Sequence, residues 1–366
     1  MFFICAFESL GIAMKNRLFI GTYTQQSSRG IYQIIVDMGY AQEGPLKLVA
    51  EMISPTCLLL SQNEKVLYAV SEAQPGIRGE IAAFHCTDKG LTLINKVLAP
   101  GAGLVHAALD PEEKLLFAVS YRDASILMYE LREDGGIGEL LDEKIHTGQG
   151  RDPVRQEKAH AHSVWFTPDG KRICGGDLGI VRLVVYEVNY SCMKLEEKKE
   201  LGVTFPQGSG PRHMVFHPNG SVAYVLAELS SEIFILDYNT ESGFKIVGKE
   251  NSLCRYEGYS IGAAIRISGD GKYLYSSNRG ADDIAVYRIS DEGQIKRLFN
   301  ISCKGKHPRD FILASRDRYL LCANRDTDNI TVYLRDSETG RFSYLREIKG
   351  ISMPVCVVNT QLDKEN

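Results

Sequence analysis

Three short segments concentrate side chains suited to chemistry: His160-Ala161-His162, Arg212-His213 and Arg309-Asp310. His106, Glu228, Arg279 and Arg325 stand apart in the chain but are of matching types. Imidazole exchanges protons near neutral pH, and guanidinium makes paired bonds to a carboxylate, a phosphate or a developing oxyanion. A buried carboxylate can orient either group or accept a proton. Such a set suits hydrolysis or proton transfer on an anionic small molecule. His160 and His162 lie two apart, so in an extended strand they share a face and could meet one metal ion. No third ligand stands at ligand spacing, and the expectation is a proton-transfer or hydrogen-bonding role with no metal and no cofactor. A serine nucleophile is not favoured, since no Gly-x-Ser-x-Gly elbow occurs.

These residues need elements that bring them together, and a repeat supplies them. A short apolar strand, a Pro-Asp-Gly-like turn and an eight-residue second strand recur along the chain. The second strands are Asn16–Tyr23, Lys65–Glu72, Lys114–Tyr121, Lys171–Leu178, Ser221–Glu228, Lys272–Arg279 and Arg318–Arg325. Third strands rich in β-branched and aromatic residues follow, from Gly30–Val36 to Asn329–Arg335, and turn residues then lead to a less regular fourth strand. The equivalent positions Cys57, His106, Ser163, His213, Ala264, Asp310 and Cys356 are 46 to 57 residues apart, the longest interval holding an insertion from Gly148 to His160. This pattern predicts an all-β fold, a seven-bladed β-propeller with four antiparallel strands per blade. The last segment, Pro354-Val355-Cys356, matches the first strand Pro55-Thr56-Cys57, whereas Asn16–Tyr23 has no first strand before it. Pairing of the two ends closes the ring.

Because neighbouring strands are antiparallel, first-strand starts and second-strand ends meet at one mouth of the central channel. Those two columns collect His106, His160, His162, Arg212, His213, Arg309 and Asp310 with Glu72, Tyr121, Glu228, Asn278, Arg279, Asn324 and Arg325. Four of the eight histidines fall there, which decides against scattered surface polarity. Strand ends at water are often polar for no functional reason. The opposite ends of the first strands are less charged (Phe166, Phe216), apart from Arg266. Trp165, the isolated cysteines and the third-strand tyrosines Tyr129, Tyr186, Tyr287 and Tyr333 are assigned to the core, and His217 to a turn.

The net charge of −4, without a basic run, argues against nucleic acid as a partner. Nine scattered cysteines with no Cys-x-x-Cys pair suggest reduced thiols and a cytoplasmic protein. No run is long enough to span a bilayer, so no membrane partner is expected. The stretch Met1–Ala13 carries Glu8 and lacks a basic start, so it is expected to be a leader outside the fold, consistent with an upstream start codon before Met14. Residues 14–366 then form a single propeller domain.

The ordered set Phe19-Ile20-Gly21-Thr22-Tyr23-Thr24, Arg155-Gln156, His160-Ala161-His162-Ser163-Val164, Thr167-Pro168-Asp169-Gly170-Lys171, Asp177-Leu178-Gly179, Gly210-Pro211-Arg212-His213, Ser277-Asn278-Arg279-Gly280, Pro308-Arg309-Asp310-Phe311 and Ala323-Asn324-Arg325-Asp326 resembles the lactonase family of seven-bladed propellers. The resemblance spans roughly Lys15 to Thr360 and implies hydrolysis of a sugar-acid lactone, above all 6-phosphogluconolactone in the pentose phosphate pathway. It implies a catalytic set of His162 (or His160), Arg212, Glu228 and Arg279, to which the two columns at the mouth add His106, His160, His213, Arg309, Asp310 and Arg325 as substrate-binding candidates. Two departures stand out: Ile180-Val181 follows Asp-Leu-Gly where relatives are acidic or amide, and Ala281 replaces a common histidine. Two other readings share the same site, a muconate-type lactonising enzyme and a non-catalytic binding platform. An ordinary histidine base would make activity rise near about pH 6 to 7.

Overall fold

Largely apolar runs such as Leu115–Ser120 and Val222–Ala227 are buried along their whole length, as a strand covered on both faces must be. Each is the second strand of a four-stranded antiparallel sheet. The structure, a computed structural model, describes residues 15–38, 44–74 and 76–361, so the expected leader Met1–Ala13 lies outside the described residues. Seven sheets follow one another around a central channel. Numbered from the blade that joins the termini, their inner strands are Pro354–Gln361, Pro55–Leu60, Leu104–Leu109, Ala161–Phe166, Pro211–Phe216, Ile261–Ile267 and Pro308–Ala314. The fold is a seven-bladed β-propeller. Blade four carries one extra short strand, Val203–Thr204, on the outer side of Arg182–Asn189.

Ring closure follows the expected course. Pro354–Gln361 pairs antiparallel with Lys15–Thr22, Leu18 lying opposite Asn359 and Gly21 opposite Cys356. The core sits between successive blades: Leu18, Ile20 and Val36 of blade one pack on Leu321, Ile330 and Val332 of blade seven. On its other side, Phe19 and Ile31 meet Leu67 and Ala69 of blade two. Gly21 allows that second approach, because a Cβ there would lie 2.2 Å from the Pro55 carbonyl oxygen.

Two repeated backbone devices aim side chains at the mouth. First, every inner strand carries a register break near its start, between Ala161 and Ser163, Pro211 and His213, and Pro308 and Asp310 in blades four, five and seven. His162, Arg212 and Arg309 are the residues left out of the ladder, the means by which a β-bulge redirects a side chain. Second, the residue just past the second strand donates its N–H back across the mouth, as Glu228 does to Gly210 O (2.6 Å), Tyr121 to Gly103 O (2.9 Å) and Glu72 to Ser54 O (2.9 Å). Most second strands therefore end one residue earlier than the sequence pattern suggests. Arg325 leaves its strand altogether, lying in a 3-10 turn, Arg325–Thr327.

Candidate active site

The mouth is organised around one carboxylate. Glu228, only 2 % exposed, accepts Arg212 Nε at 2.8 Å and Arg279 Nη2 at 2.7 Å on Oε2, and Arg155 Nη2 at 2.5 Å on Oε1. Its backbone is held on both sides, through the bond to Gly210 O and through Gly262 N donating to Glu228 O at 2.9 Å. Backbone carbonyls of the blade-six bulge brace the guanidiniums, Ala263 O taking Arg212 Nη1 and Gly262 O taking Arg279 Nη2. His162 completes the cluster, its Nε2 lying 3.9 Å from Glu228 Oε2.

The protonation states follow from burial and neighbours. Burial alone would raise the Glu228 pKa, but Arg279, Arg212 and Arg155 outweigh it and hold the carboxyl well below its ordinary value. Burial and Arg212 push His162 well below the usual imidazole range, against the pull of Glu228. The site therefore holds an ionised glutamate beside a neutral histidine at neutral pH. Burial, with Arg279 and Arg309 nearby, lowers Arg212 to about 9, which leaves it cationic.

A second charged group faces the same mouth from blades one, two and seven. Tyr23 donates to Glu72 Oε2 at 2.6 Å, and Arg309 Nη2 stands 3.3 Å from that oxygen and over the Tyr23 ring. Burial drives the Tyr23 phenol up to about 12, so it is a neutral donor. Below the mouth the channel contains a cavity of about 410 Å³, lined by His106, Trp165, His213, Arg266 and Asp310 among others. Asp310 is ion-paired there with Arg266 at 2.7 Å, so the one charged residue at the far ends of the inner strands belongs to the channel. His106 packs against Trp165 (4.7 Å between ring centroids) and His213 (5.3 Å). Burial, Arg266 and Arg212 take His106 down to about 3, and burial, Arg212 and His106 hold His213 well below its ordinary value.

The structure thus separates the two histidines of His-Ala-His. The bulge at His162 breaks the two-residue alternation, leaving His162 toward Glu228 while His160 stacks on Tyr121 at 4.3 Å and pairs with Glu157 at 3.0 Å. Among the described residues no group of three His, Cys, Asp or Glu is placed to hold a metal ion. Arg325 pairs with its neighbour Asp326 at 2.5 Å. Trp165, assigned to the core from sequence, is half-buried and forms part of the channel wall.

Arg155 is the member of the cluster that sequence reasoning quoted only within a motif and gave no role in the site. It is carried by the insertion, an arm shaped by its own polar contacts. Asp152 Oδ1 accepts the N–H groups of Val154 and Arg155, and fully buried Gln156 donates to Leu178 O at 2.8 Å. Gly179 lets the arm lie against blade four, since a Cβ there would be 2.0 Å from Lys158 O. The signal was the insertion itself, in the longest interval of the repeat and just before the His-Ala-His segment.

Seven blades and this charged mouth match a known group. A family model described as lactonase, seven-bladed β-propeller, matches residues 17–359. The chain belongs to that family. It is 32% identical over 344 residues to a 6-phosphogluconolactonase of Bacillus subtilis, covering 93% of this chain and 97% of that one. A solved structure of a protein from Lactobacillus plantarum superposes with a TM-score of 0.88 at 34% identity, over 95% of this chain and 100% of that one. The periplasmic gluconolactonase of Pseudomonas aeruginosa does so with a TM-score of 0.88 at 25% identity, over 94% and 99%. The protein is accordingly a lactonase, an enzyme acting on a small-molecule lactone.

Proposed function

We propose that the protein hydrolyses a phosphorylated sugar-acid lactone, 6-phosphogluconolactone, to the open-chain acid at this mouth. The observation that carries the reading is a charge imbalance: Arg155, Arg212, Arg279 and Arg309 converge on just two carboxylates, Glu228 and Glu72. An excess of buried cations is compensated when an anion binds, and a lactone carrying a phosphate brings one.

Neutral His162 takes a proton from water as the water oxygen adds to the lactone carbonyl. The carbonyl oxygen becomes negative and is stabilised by N–H donors of Arg212 and Arg279. Collapse breaks the bond to the ring oxygen, which leaves with the proton held on His162, so water is consumed and one acid is formed. Glu228 stabilises the transient imidazolium and fixes the arginines. Both of its oxygens are taken by guanidiniums, which favours His162 as the base. On this reading the enzyme works in the cytoplasm, in the pentose phosphate pathway.

The test is turnover of 6-phosphogluconolactone by purified protein, corrected for spontaneous hydrolysis. A rate no faster than the uncatalysed one would remove this substrate.

A further inference from the structure

The catalytic cluster leaves a neighbouring cavity unused. It measures about 480 Å³ and lies between the second-strand end of blade three and the inserted arm, with Tyr121, Arg122, Asp123, Arg155, Glu157 and Lys158 in its walls. Both carboxylates there are already engaged. Asp123 Oδ2 accepts Ala102 N at 2.8 Å and Ser120 Oγ at 3.1 Å, and Glu157 pairs with His160.

Two of the cations have no carboxylate partner. The Arg122 guanidinium makes no hydrogen bond or ion pair with any described residue, and its Nε is buried without a partner. Lys158 Nζ donates to the neutral carbonyl of Arg122 at 2.7 Å. Arg122 and Lys158 thus line the cavity as cations that no carboxylate holds, and an anionic ligand oxygen would pair with them. The cavity is continuous with the catalytic group through two shared residues. Arg155 reaches from it to Glu228 and to Tyr121 Oη at 3.4 Å, and the Tyr121 ring lies 5.6 Å from that of His162.

We propose that this cavity is the phosphate subsite of the enzyme, in which Arg122, Arg155 and Lys158 hold the phosphate ester of the substrate while its lactone carbonyl faces His162. The inference rests on the lactone-hydrolase reading and adds the basis for preferring a phosphorylated over an unphosphorylated lactone. A phosphate dianion offers three acceptor oxygens, enough for two guanidiniums and an ammonium at once.

Arg122→Gln and Lys158→Gln, neither of which touches Glu228, test it. The quantity to measure is the ratio of kcat/KM for 6-phosphogluconolactone to that for glucono-δ-lactone. One lost bond to a charged group is worth roughly 1.5–3 kcal/mol, so the ratio is expected to fall about ten- to a hundredfold in each variant, mainly through KM for the phosphorylated lactone. An equal loss on both lactones, or no loss on either, overturns the subsite. Calorimetric titration with 6-phosphogluconate and gluconate separates this from the reading it rests on. Preference of the wild type for the phosphorylated acid, abolished in the variants, supports the subsite even without turnover, and absence of that preference overturns it. Failure of the wild type to hydrolyse either lactone overturns the lactone reading alone.

Discussion

His162 Nε2 lies 3.9 Å from Glu228 Oε2, the same oxygen that receives both Arg212 and Arg279. One atom thus fixes the position of the two cations and faces the imidazole. Arg155 occupies the other oxygen, so the carboxylate has little capacity left to take a proton itself.

The pH dependence follows from that pairing. His162 is already neutral and Glu228 already ionised across the neutral range, so kcat/KM should stay nearly level from about pH 6 to 8. This replaces the rise expected for an ordinary histidine, because burial and Arg212 move the imidazole below that window. Initial rates corrected for spontaneous hydrolysis decide it, and a rise with a midpoint between pH 6 and 7 would contradict the neutral state.

Glu228→Gln should damage both rate and stability. It leaves three guanidiniums around an uncharged amide, and breaking a buried ion pair typically costs about 3–5 kcal/mol. His162→Ala should be severe for rate with a smaller effect on stability. If the two form one proton-transfer unit, the double variant should be little slower than the slower single one. Multiplying effects in single-turnover rates would show that they act separately.

Arg212→Ala and Arg279→Ala distinguish stabilisation of the oxyanion from simple anchoring. Donors to developing charge are typically worth a hundredfold to a thousandfold in rate. A fall in kcat of about that size is expected for each, and a change confined to KM would assign the residue to binding.

Acid should weaken the fold before it titrates the carboxylates. His106, His162 and His213 have folded pKa values depressed below the unfolded value, so below about pH 6.5 the unfolded chain binds more protons. Stability contributed by the neutral rings is complete above that pH and is lost as pH falls. Each ring contributes a slope of up to about 1.4 kcal/mol per pH unit. Denaturant midpoints at pH 7.5, 6.5 and 5.5 measure it, and a constant midpoint would mean that these rings are not held neutral.

Much of this architecture is legible in the sequence because it depends on local pattern. Runs such as Leu115–Ser120 are apolar up to their last residue, turn residues separate them, and antiparallel pairing then fixes which ends meet. Arg212, Glu228 and Arg279 were accessible in the same way, since each sits at a repeated position. Arg155 was not, because its contact with Glu228 spans 73 residues and depends on an arm outside the repeat. The bulge that separates His162 from His160 is equally silent, since a skipped pairing leaves no mark in composition. Trp165 escaped because an aromatic at a strand's inward position looks the same whether it faces another blade or an open channel.

The strand Pro354–Gln361 is the innermost piece of the sheet that begins with Lys15–Thr22. A ribosome therefore releases the second, third and fourth strands of that blade first and its innermost strand last. Blades two to seven can form as they emerge, but Lys15–Thr22 waits with one unpaired edge until Pro354–Gln361 has been made. A variant lacking Pro354–Gln361 would retain His162, Arg212, Glu228 and Arg279 and still lack the strand that closes the ring.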